Sequence, residues 1–179
     1  ATVYTISGPW PDAWLLVEGG RINSLGTGEY PGRHADRIID LAGRDLLPGF
    51  IDMHVHGALG HDTMEPEPQA LRPMAHFFGQ HGVTSFLAST ISAAPDAITA
   101  SLKAIQQAAS ERLDGAQVLG AHLEGPFIEP TRRGAHEAAQ IRVAQVDEYR
   151  TYLHSGIIKM LTLAPEFPEN LGLLRDAAK

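Results

Sequence analysis

The sequence contains no cysteine among its 179 residues, which excludes disulfide bridges and thiolate metal sites and fits a reducing compartment. No apolar run reaches the roughly 18 residues that a membrane-spanning helix needs. The net charge is −7, without a cluster of lysine and arginine, which argues against nucleic acid as a partner. The opening segment, ATVYTISGPWPD, lacks the basic and apolar regions of a secretory signal, so we expect a cytoplasmic protein.

What is present is typical of a globular chain with one core and a small appendage. Apolar residues make up 44% and charged residues 20% of the sequence. Nine histidines in a chain of otherwise ordinary composition are the first indication of metal or acid–base chemistry.

Residues 1–45 have the pattern of short strands separated by turns. AWLLVE (Ala13–Glu18) predicts a strand, Gly19 and Gly20 a tight turn, and RINSL (Arg21–Leu25) the returning strand of a hairpin. RIIDL (Arg37–Leu41) alternates again and predicts another strand. The sequence therefore predicts part of a small β-sandwich or a β-meander in this region.

From residue 46 onward, apolar strands alternate with amphipathic helices. We predict strands at 47–55, 83–88, 118–123 and 157–163, and helices at 68–81, 95–112, 146–154 and 170–179. Apolar strands separated by helices indicate a parallel sheet. Four such units fit either an open doubly wound sheet or the first half of a (β/α)8 TIM barrel, and periodicity leaves both open. No G-x-G-x-x-G or Walker A segment follows the first strand, which disfavours the common nucleotide-binding versions.

A His-x-His pair ends the first apolar strand. Because side chains two apart on a strand point the same way, His54 and His56 should share one face at its carboxyl end. This rim is where barrel enzymes build their sites, and two parallel imidazoles suit a divalent ion such as Zn²⁺. The plain alternative is a pair of hydrogen-bonded rim histidines that bind no metal.

The third strand repeats this arrangement with His122 and Glu124. Gly125 and Pro126 end the strand at once, which leaves the Glu124 carboxylate at the rim, where it could bind the same ion. A salt-bridge or helix-capping role is the alternative for Glu124. We expect His122 to support the metal ligands through a hydrogen bond, and Asp62 to hold the loop after the first strand.

Several segments, in order, resemble one enzyme family. PGFIDMHVHG (48–57) resembles the opening of amidohydrolases in general. The segments GHDTME (60–65), HGVTSFLAST (81–90), AHLEGPFI (121–128), RRGAH (132–136) and LTLAPE (161–166) resemble the N-acetylglucosamine-6-phosphate deacetylases in particular. The matches run from about residue 47 to residue 166.

The resemblance implies an α/β fold, with the first four units of a (β/α)8 barrel in residues 46–179 and part of a β-sandwich domain in 1–45. It makes Glu124 a metal ligand and places His54 and His56 at a second metal position. Some members lack that histidine pair, so one or two metals, Zn²⁺ or Fe²⁺ or another divalent ion, are compatible with it. It makes Ala135 and His136 substrate-binding residues, although a solvated loop histidine is the alternative for His136. Arg133 stands where members often carry lysine.

The implied reaction is hydrolysis of the acetamide of N-acetylglucosamine 6-phosphate to glucosamine 6-phosphate and acetate, by a cytoplasmic homodimer. Two histidine ligands and the aspartate that acts as general base and acid belong to later strands of the family, so no catalytic residue is expected within these 179. We therefore expect either part of a longer enzyme or a half that needs a partner chain. The alternatives are a dihydroorotase-like cyclic amidase, which a carboxylated lysine on the fourth strand would favour, and a non-catalytic metal-binding or assembly half.

Overall fold

The computed structural model describes residues 1–32 and 34–179. Two compact units are present, Ala1–Gly49 and Phe50–Lys179. Each is described by itself.

In the described part of the first unit, 1–32 and 34–49, the regular elements are five short strands. They are β1 (Thr2–Thr5), β2 (Gly8–Trp10), β3 (Ala13–Glu18), β4 (Arg21–Thr27) and β5 (Asp45–Leu46). β2, β1 and β5 form one sheet in that order, and β3 pairs with β4 in an antiparallel hairpin. Gly19 and Gly20 both have positive φ, the conformation that a two-residue hairpin turn requires. The predicted hairpin is confirmed.

The strand predicted at Arg37–Leu41 is wrong. These residues, which the structure describes, form no regular element, and Ile38 and Ile39 remain 83% and 65% exposed. Alternation of apolar and polar residues is not sufficient for a strand, because the backbone must also form hydrogen bonds with a neighbouring strand. This segment has no such pairing.

The second unit contains six strands and four α-helices, and after the first three strands the two kinds of element alternate. In chain order they are β6 (Phe50–Val55), β7 (Gly57–Ala58), β8 (His61–Asp62), α1 (Leu71–Gln80), β9 (Val83–Ser89), α2 (Pro95–Ser110), β10 (Gln117–Glu124), α3 (Val146–His154), β11 (Ile158–Thr162) and α4 (Asn170–Ala177). Short 3₁₀ turns lie at Pro68–Ala70, Pro130–Arg132 and Ala138–Gln140. β7 and β8 form a small hairpin that the sequence pattern did not predict.

The order of the parallel strands distinguishes between the two architectures left open by the sequence. β6, β9, β10 and β11 are neighbours in chain order, and all three pairings are parallel. A doubly wound sheet reverses its strand order at a switch point, and this sheet does not. The helices also contact one another in chain order, as expected for one layer along one face. The unit is an α/β structure with a parallel half-barrel sheet.

The core lies between this sheet and its helices. α2 begins at Pro95, which suits the first helical turn, and buries the face that carries Ile98, Leu102 and Ile105. Phe86 of β9 is completely buried in the same cluster. Burial of side chains of this size contributes about 1.5–3 kcal/mol each. The carboxyl ends of the strands are thereby held on a rigid support.

Candidate functional site

The His-x-His pair lies at the carboxyl end of β6. His54 is in the strand and His56 directly follows its last residue, so both imidazoles are on one side. The two Nε2 atoms are 3.0 Å apart. Half of the His54 side chain and 40% of the His56 side chain are exposed. Both rings therefore face an opening that other groups can enter.

Glu124 brings a carboxylate to the same point from two strands away. It is the last residue of β10, and its side chain is 19% exposed. Its Oε2 atom lies 2.9 Å from Nε2 of His54 and 2.7 Å from Nε2 of His56. The three predicted ligand side chains thus converge on one point, although they are separated by up to 70 positions in the sequence.

The three side chains fit a divalent ion. Two imidazole nitrogens and one carboxylate oxygen are a donor set that zinc and similar ions prefer. Ligand atoms that each lie about 2.0–2.2 Å from one ion cannot be more than about 4.4 Å apart. The observed separations between His54, His56 and Glu124, 2.7–3.0 Å, satisfy this limit. His54, His56 and Glu124 could therefore hold one ion together.

The surroundings of Glu124 keep its carboxylate ionised. Burial opposes ionisation, but the hydrogen bond from His54 and the electrostatic attraction of the neighbouring imidazoles together outweigh it. The result is a pKa of Glu124 below its ordinary value. An ionised carboxylate is the form that binds a metal cation.

His122 lies beside this cluster with both ring nitrogens already in use. Its Nδ1 atom is 3.0 Å from Oγ of Ser89, and its Nε2 atom is 2.8 Å from Oγ1 of Thr162. Burial is the main cause that lowers the pKa of His122 to about 4, so the ring is neutral at neutral pH. Its ligand atoms are within 4.8 Å of those of His54 and Glu124. Because both nitrogens contact hydroxyl groups, His56 fits the ligand set better than His122.

The RRGAH segment forms the wall of a cleft next to Glu124. His136 is 6% exposed, and its Nε2 atom is 3.8 Å from Oε1 of Glu124. Burial lowers the pKa of His136, and the nearby Glu124 carboxylate opposes this only in part. The cleft has a volume of about 700 Å³. Its lining includes His54, His56, Glu124, Arg132, Arg133, Ala135, His136 and Glu166.

Asp62 makes its contacts within the loop after β6. Its Oδ1 atom accepts a hydrogen bond from the backbone N–H of Met64, and its own N–H donates to Oε1 of Glu65. Nδ1 of His61 lies 3.3 Å from the same Glu65 carboxylate. These contacts are consistent with a role in loop structure. His76, His81 and His154 are exposed and are not among the residues that line the cleft, and His34 is exposed in the first unit.

Four hydroxyl-bearing residues support the site and were not predicted. Ser89 accepts a hydrogen bond from the Val55 N–H and contacts His122, and Thr90 accepts one from the backbone N–H of Glu124. Ser92 and Thr162 contact His136 and His122 respectively. For Ser89, Thr90 and Ser92 the only sequence signal is a cluster of polar residues at the end of a buried strand, in ASTIS (88–92), and Thr162 has no such signal.

A half-barrel sheet with two histidines and a glutamate at its strand ends is an arrangement typical of amidohydrolases. Residues 46–178 match the model of the Amidohydrolase family, and the chain belongs to that family.

Within the family, the chain is similar to the N-acetylglucosamine-6-phosphate deacetylases. It is 37% identical over 169 residues to the enzyme of that name from Vibrio furnissii and 36% identical over 169 residues to that from Bacillus subtilis. Each alignment covers 92% of this chain, but 41% and 43% of the two relatives. The chain thus spans about two fifths of the length of these curated relatives.

Solved structures of N-acetylglucosamine-6-phosphate deacetylases are also similar to this chain. The deacetylase from Mycobacterium smegmatis superposes with a TM-score of 0.81 at 27% identity, over 98% of this chain and 45% of that one. A second structure of that enzyme, in complex with N-acetyl-D-glucosamine-6-phosphate, has a TM-score of 0.80. The enzyme from Thermotoga maritima has a TM-score of 0.76 at 31% identity, over 97% of this chain and 44% of that one.

Among the helices that the structure describes, none has the length and apolarity needed to cross a membrane.

Proposed function

We propose that the protein containing this chain hydrolyses the acetamide of N-acetylglucosamine 6-phosphate, to give glucosamine 6-phosphate and acetate. The observation that carries the proposal is the convergence of His54, His56 and Glu124 at 2.7–3.0 Å, in a cleft lined by the RRGAH loop. The names of the relatives, and the sugar phosphate in one neighbouring structure, supply the substrate.

His54, His56 and Glu124 would hold one divalent ion such as Zn²⁺, and a second ion or Fe²⁺ is compatible with the same donors. A bound ion supplies two things to amide hydrolysis, polarisation of the carbonyl and a lower pKa of a water molecule. The ionised Glu124 would offset one of the two positive charges of such an ion. His122, neutral and hydrogen-bonded through both nitrogens, supports the ring of His54, which it contacts edge to face at 4.9 Å. Ala135 and His136 would face the substrate.

The general acid and base, an aspartate, is proposed to lie outside these 179 residues. The same holds for the strands that complete the (β/α)8 barrel begun in residues 46–179 and the β-sandwich begun in 1–45. Phe50, Ile51 and Met53 of β6 are each about 60% exposed, which is consistent with further chain packing against this edge strand. A homodimer in the cytoplasm completes the proposal.

The position of Lys159 disfavours the cyclic amidase alternative. It is the second residue of β11, whereas Thr162, which pairs with Glu124, is the last. A carboxylated lysine would need to lie at that end, beside the other ligands. Lys159 instead lies next to Gly120, earlier in β10.

The first test is the intact mass of the purified protein. A mass well above 19.3 kDa would identify a longer enzyme, to which the deacetylase proposal applies directly. A mass of 19.3 kDa would require a partner chain for turnover. In that case a protein that stays monomeric and binds no metal would contradict both the deacetylase and the assembly alternatives.

The second test is metal content and acetate release in the complete protein. We expect Glu124→Gln to lose most of the bound metal and more than about 100-fold in kcat, since even outer-shell changes cost 10–100-fold. His61→Ala, a histidine paired with Glu65 and absent from the cleft lining, is the matched control and should retain both. Normal metal content and turnover in Glu124→Gln would overturn the assignment of Glu124.

A further inference from the structure

His136 accepts a hydrogen bond from a backbone amide. The N–H of Ser92 points to Nδ1 of His136 at 3.0 Å, and Oγ of Ser92 lies 2.7 Å from the same atom. A backbone N–H can only donate, so Nδ1 must be the unprotonated nitrogen of this ring. In a neutral imidazole the other nitrogen then carries the proton.

Both partners of this contact are fixed by the fold. Ser92 and His136 are 5% and 6% exposed. The segment between β9 and Ser92 is hydrogen-bonded to β10. The N–H of Thr90 donates to the carbonyl of His122, and Thr90 Oγ1 accepts from the N–H of Glu124.

The backbone of His136 is held as well. Its N–H donates to the carbonyl of Arg133, and its own carbonyl accepts from the guanidinium of Arg133. The ring therefore has little freedom to turn away from Ser92.

Gly125 has no side chain, and this allows Ser92 and His136 to approach each other. A Cβ atom at this position would lie 2.3 Å from Ser92 Oγ and 3.2 Å from Cε1 and Nδ1 of His136. Gly125 also has φ +72°, a conformation that favours glycine. The residue that follows Glu124 thus allows Ser92 and His136 to meet beside the carboxylate.

We propose that Ser92 is a positioning residue whose backbone N–H holds His136 in the Nε2–H tautomer, so that the ring presents a hydrogen-bond donor to the cleft beside Glu124. Nε2, 3.8 Å from Oε1 of Glu124, is then neither a metal ligand nor a proton acceptor. The group that His136 meets in a ligand must be an acceptor oxygen, such as a carbonyl, hydroxyl or phosphate oxygen. The tautomer stands on geometry alone, whereas its use toward an amide substrate rests on the proposed function.

The tautomer can be measured without substrate. Long-range ¹H–¹⁵N correlation spectra of the ¹⁵N-histidine-labelled complete protein, in the diamagnetic zinc-loaded form near pH 7.5, distinguish protonated from bare ring nitrogens. His136 is assigned by the signals lost in His136→Gln. We expect a bare Nδ1 and a protonated Nε2. The Ser92→Ala variant retains the backbone N–H and should keep this pattern. A protonated Nδ1 in the unmodified protein, with or without a protonated Nε2, would overturn the proposal.

The donor role is tested by two substitutions at His136. The side-chain amide nitrogen of glutamine can take the place of Nε2, whereas that of asparagine reaches only the place of Nδ1. We expect His136→Gln to retain at least tenfold more kcat/KM for N-acetylglucosamine 6-phosphate than His136→Asn. Equal or reversed losses would contradict the donor role. If the unmodified protein does not hydrolyse this substrate, the proposed function fails, and the spectrum alone decides the tautomer.

Discussion

Arg142 and Glu148 form a bidentate ion pair, and Arg142 follows the RRGAH segment (132–136) that lines the cleft. Nε of Arg142 donates to both carboxylate oxygens of Glu148 at 3.1 Å, and the hydroxyl of Tyr152 donates to the same carboxylate at 2.7 Å. A second guanidinium nitrogen donates to the carbonyl of Ala93 at 3.0 Å. The backbone N–H of Arg142 donates to the carbonyl of Pro126. This one arginine therefore connects the segment after His136 to α3 and to the ends of β9 and β10.

Replacing this arginine should destabilise the protein more than replacing an exposed one. Arg142→Ala leaves the carboxylate of Glu148, 12% exposed, and the buried Tyr152 without their cation, and we expect a loss of about 3 kcal/mol in the free energy of unfolding. Arg72, which pairs with Glu111 at 2.7 Å with 59% of its side chain exposed, is the matched control. Arg72→Ala should cost less than about 1 kcal/mol. Denaturant unfolding of both variants measures the difference, and similar losses would contradict this role of Arg142.

Asn170, at the start of α4, is fully buried and uses its whole amide. Oδ1 accepts from the N–H of Ala144, and Nδ2 donates to the carbonyls of Phe127 and Ala164. Asn170→Ala leaves the buried N–H of Ala144 without a partner and removes one hydrogen bond from each of the two carbonyls, and we expect a loss of about 1–3 kcal/mol in the free energy of unfolding. Asn170→Asp should cost at least as much, because an oxygen would then face two carbonyls.

The neighbouring Glu169→Ala serves as the control for Asn170, because Glu169 is exposed. Chemical denaturation should give it less than about 0.5 kcal/mol. An Asn170→Asp protein as stable as the unmodified one would show that the two carbonyls do not depend on a donor at this position.

Gly125 should tolerate a methyl group much less well than Gly134. Both have positive φ, +72° and +58°, so alanine costs about 1–2 kcal/mol in backbone conformation at either position. Only at Gly125 would the new Cβ meet Ser92 and His136, whereas at Gly134 it meets nothing within 4 Å. We expect Gly125→Ala to lower the melting temperature further than Gly134→Ala. Equal melting temperatures would mean that Ser92 and His136 move apart without cost.

The carboxylate of Asp176 should make stability depend on pH in the acid range. The hydrogen bond from Lys179, followed by that from Tyr149 and the contact with Arg150, lowers the pKa of Asp176 from 3.8 to about 2. Because the folded-state pKa is the lower one, the stabilisation is present above about pH 4. It is lost as the pH falls from about 4 to 2.

Unfolding measured between pH 5 and pH 2 tests this expectation. The protein with Asp176→Asn should lose less stability over this interval than the unmodified protein. Asp36→Asn, at an exposed position of the first unit, should leave the slope unchanged. Parallel curves for Asp176→Asn and the unmodified protein would contradict the prediction.

Much of the second unit follows from periodicity. The predicted and observed bounds of α3 coincide at Val146–His154, because its apolar spacing and first-turn acids are local signals. β6 begins at Phe50, three residues later than predicted, because Pro48 has no N–H to donate to a sheet. The two-residue strands β7 and β8 are too short to produce a period, and only their turn residues, Leu59 and Gly60, carry a signal.

The candidate site likewise contains some residues that local sequence spacing predicts and others whose contacts depend on the fold. Spacing alone places His54 and His56 on one face, because strand geometry repeats every two residues. That Glu124 should meet them depends on which strands are neighbours, and this requires the sheet order. The contacts of Ser92 with His136 and of His122 with Thr162 join residues 44 and 40 positions apart. Serine and threonine occur throughout the sequence, so nothing local distinguishes these residues.

The strand order has a consequence for how the chain can fold during its synthesis. Each parallel strand of the half-barrel sheet pairs with the one that the ribosome has made just before it. β9 can therefore add to β6, β10 to β9 and β11 to β10, without waiting for a strand from the far end of the chain. Domains commonly fold in this direction as they emerge. The two sides of the His54–Glu124 contact can consequently meet once the third strand has emerged from the ribosome, before β11 is available.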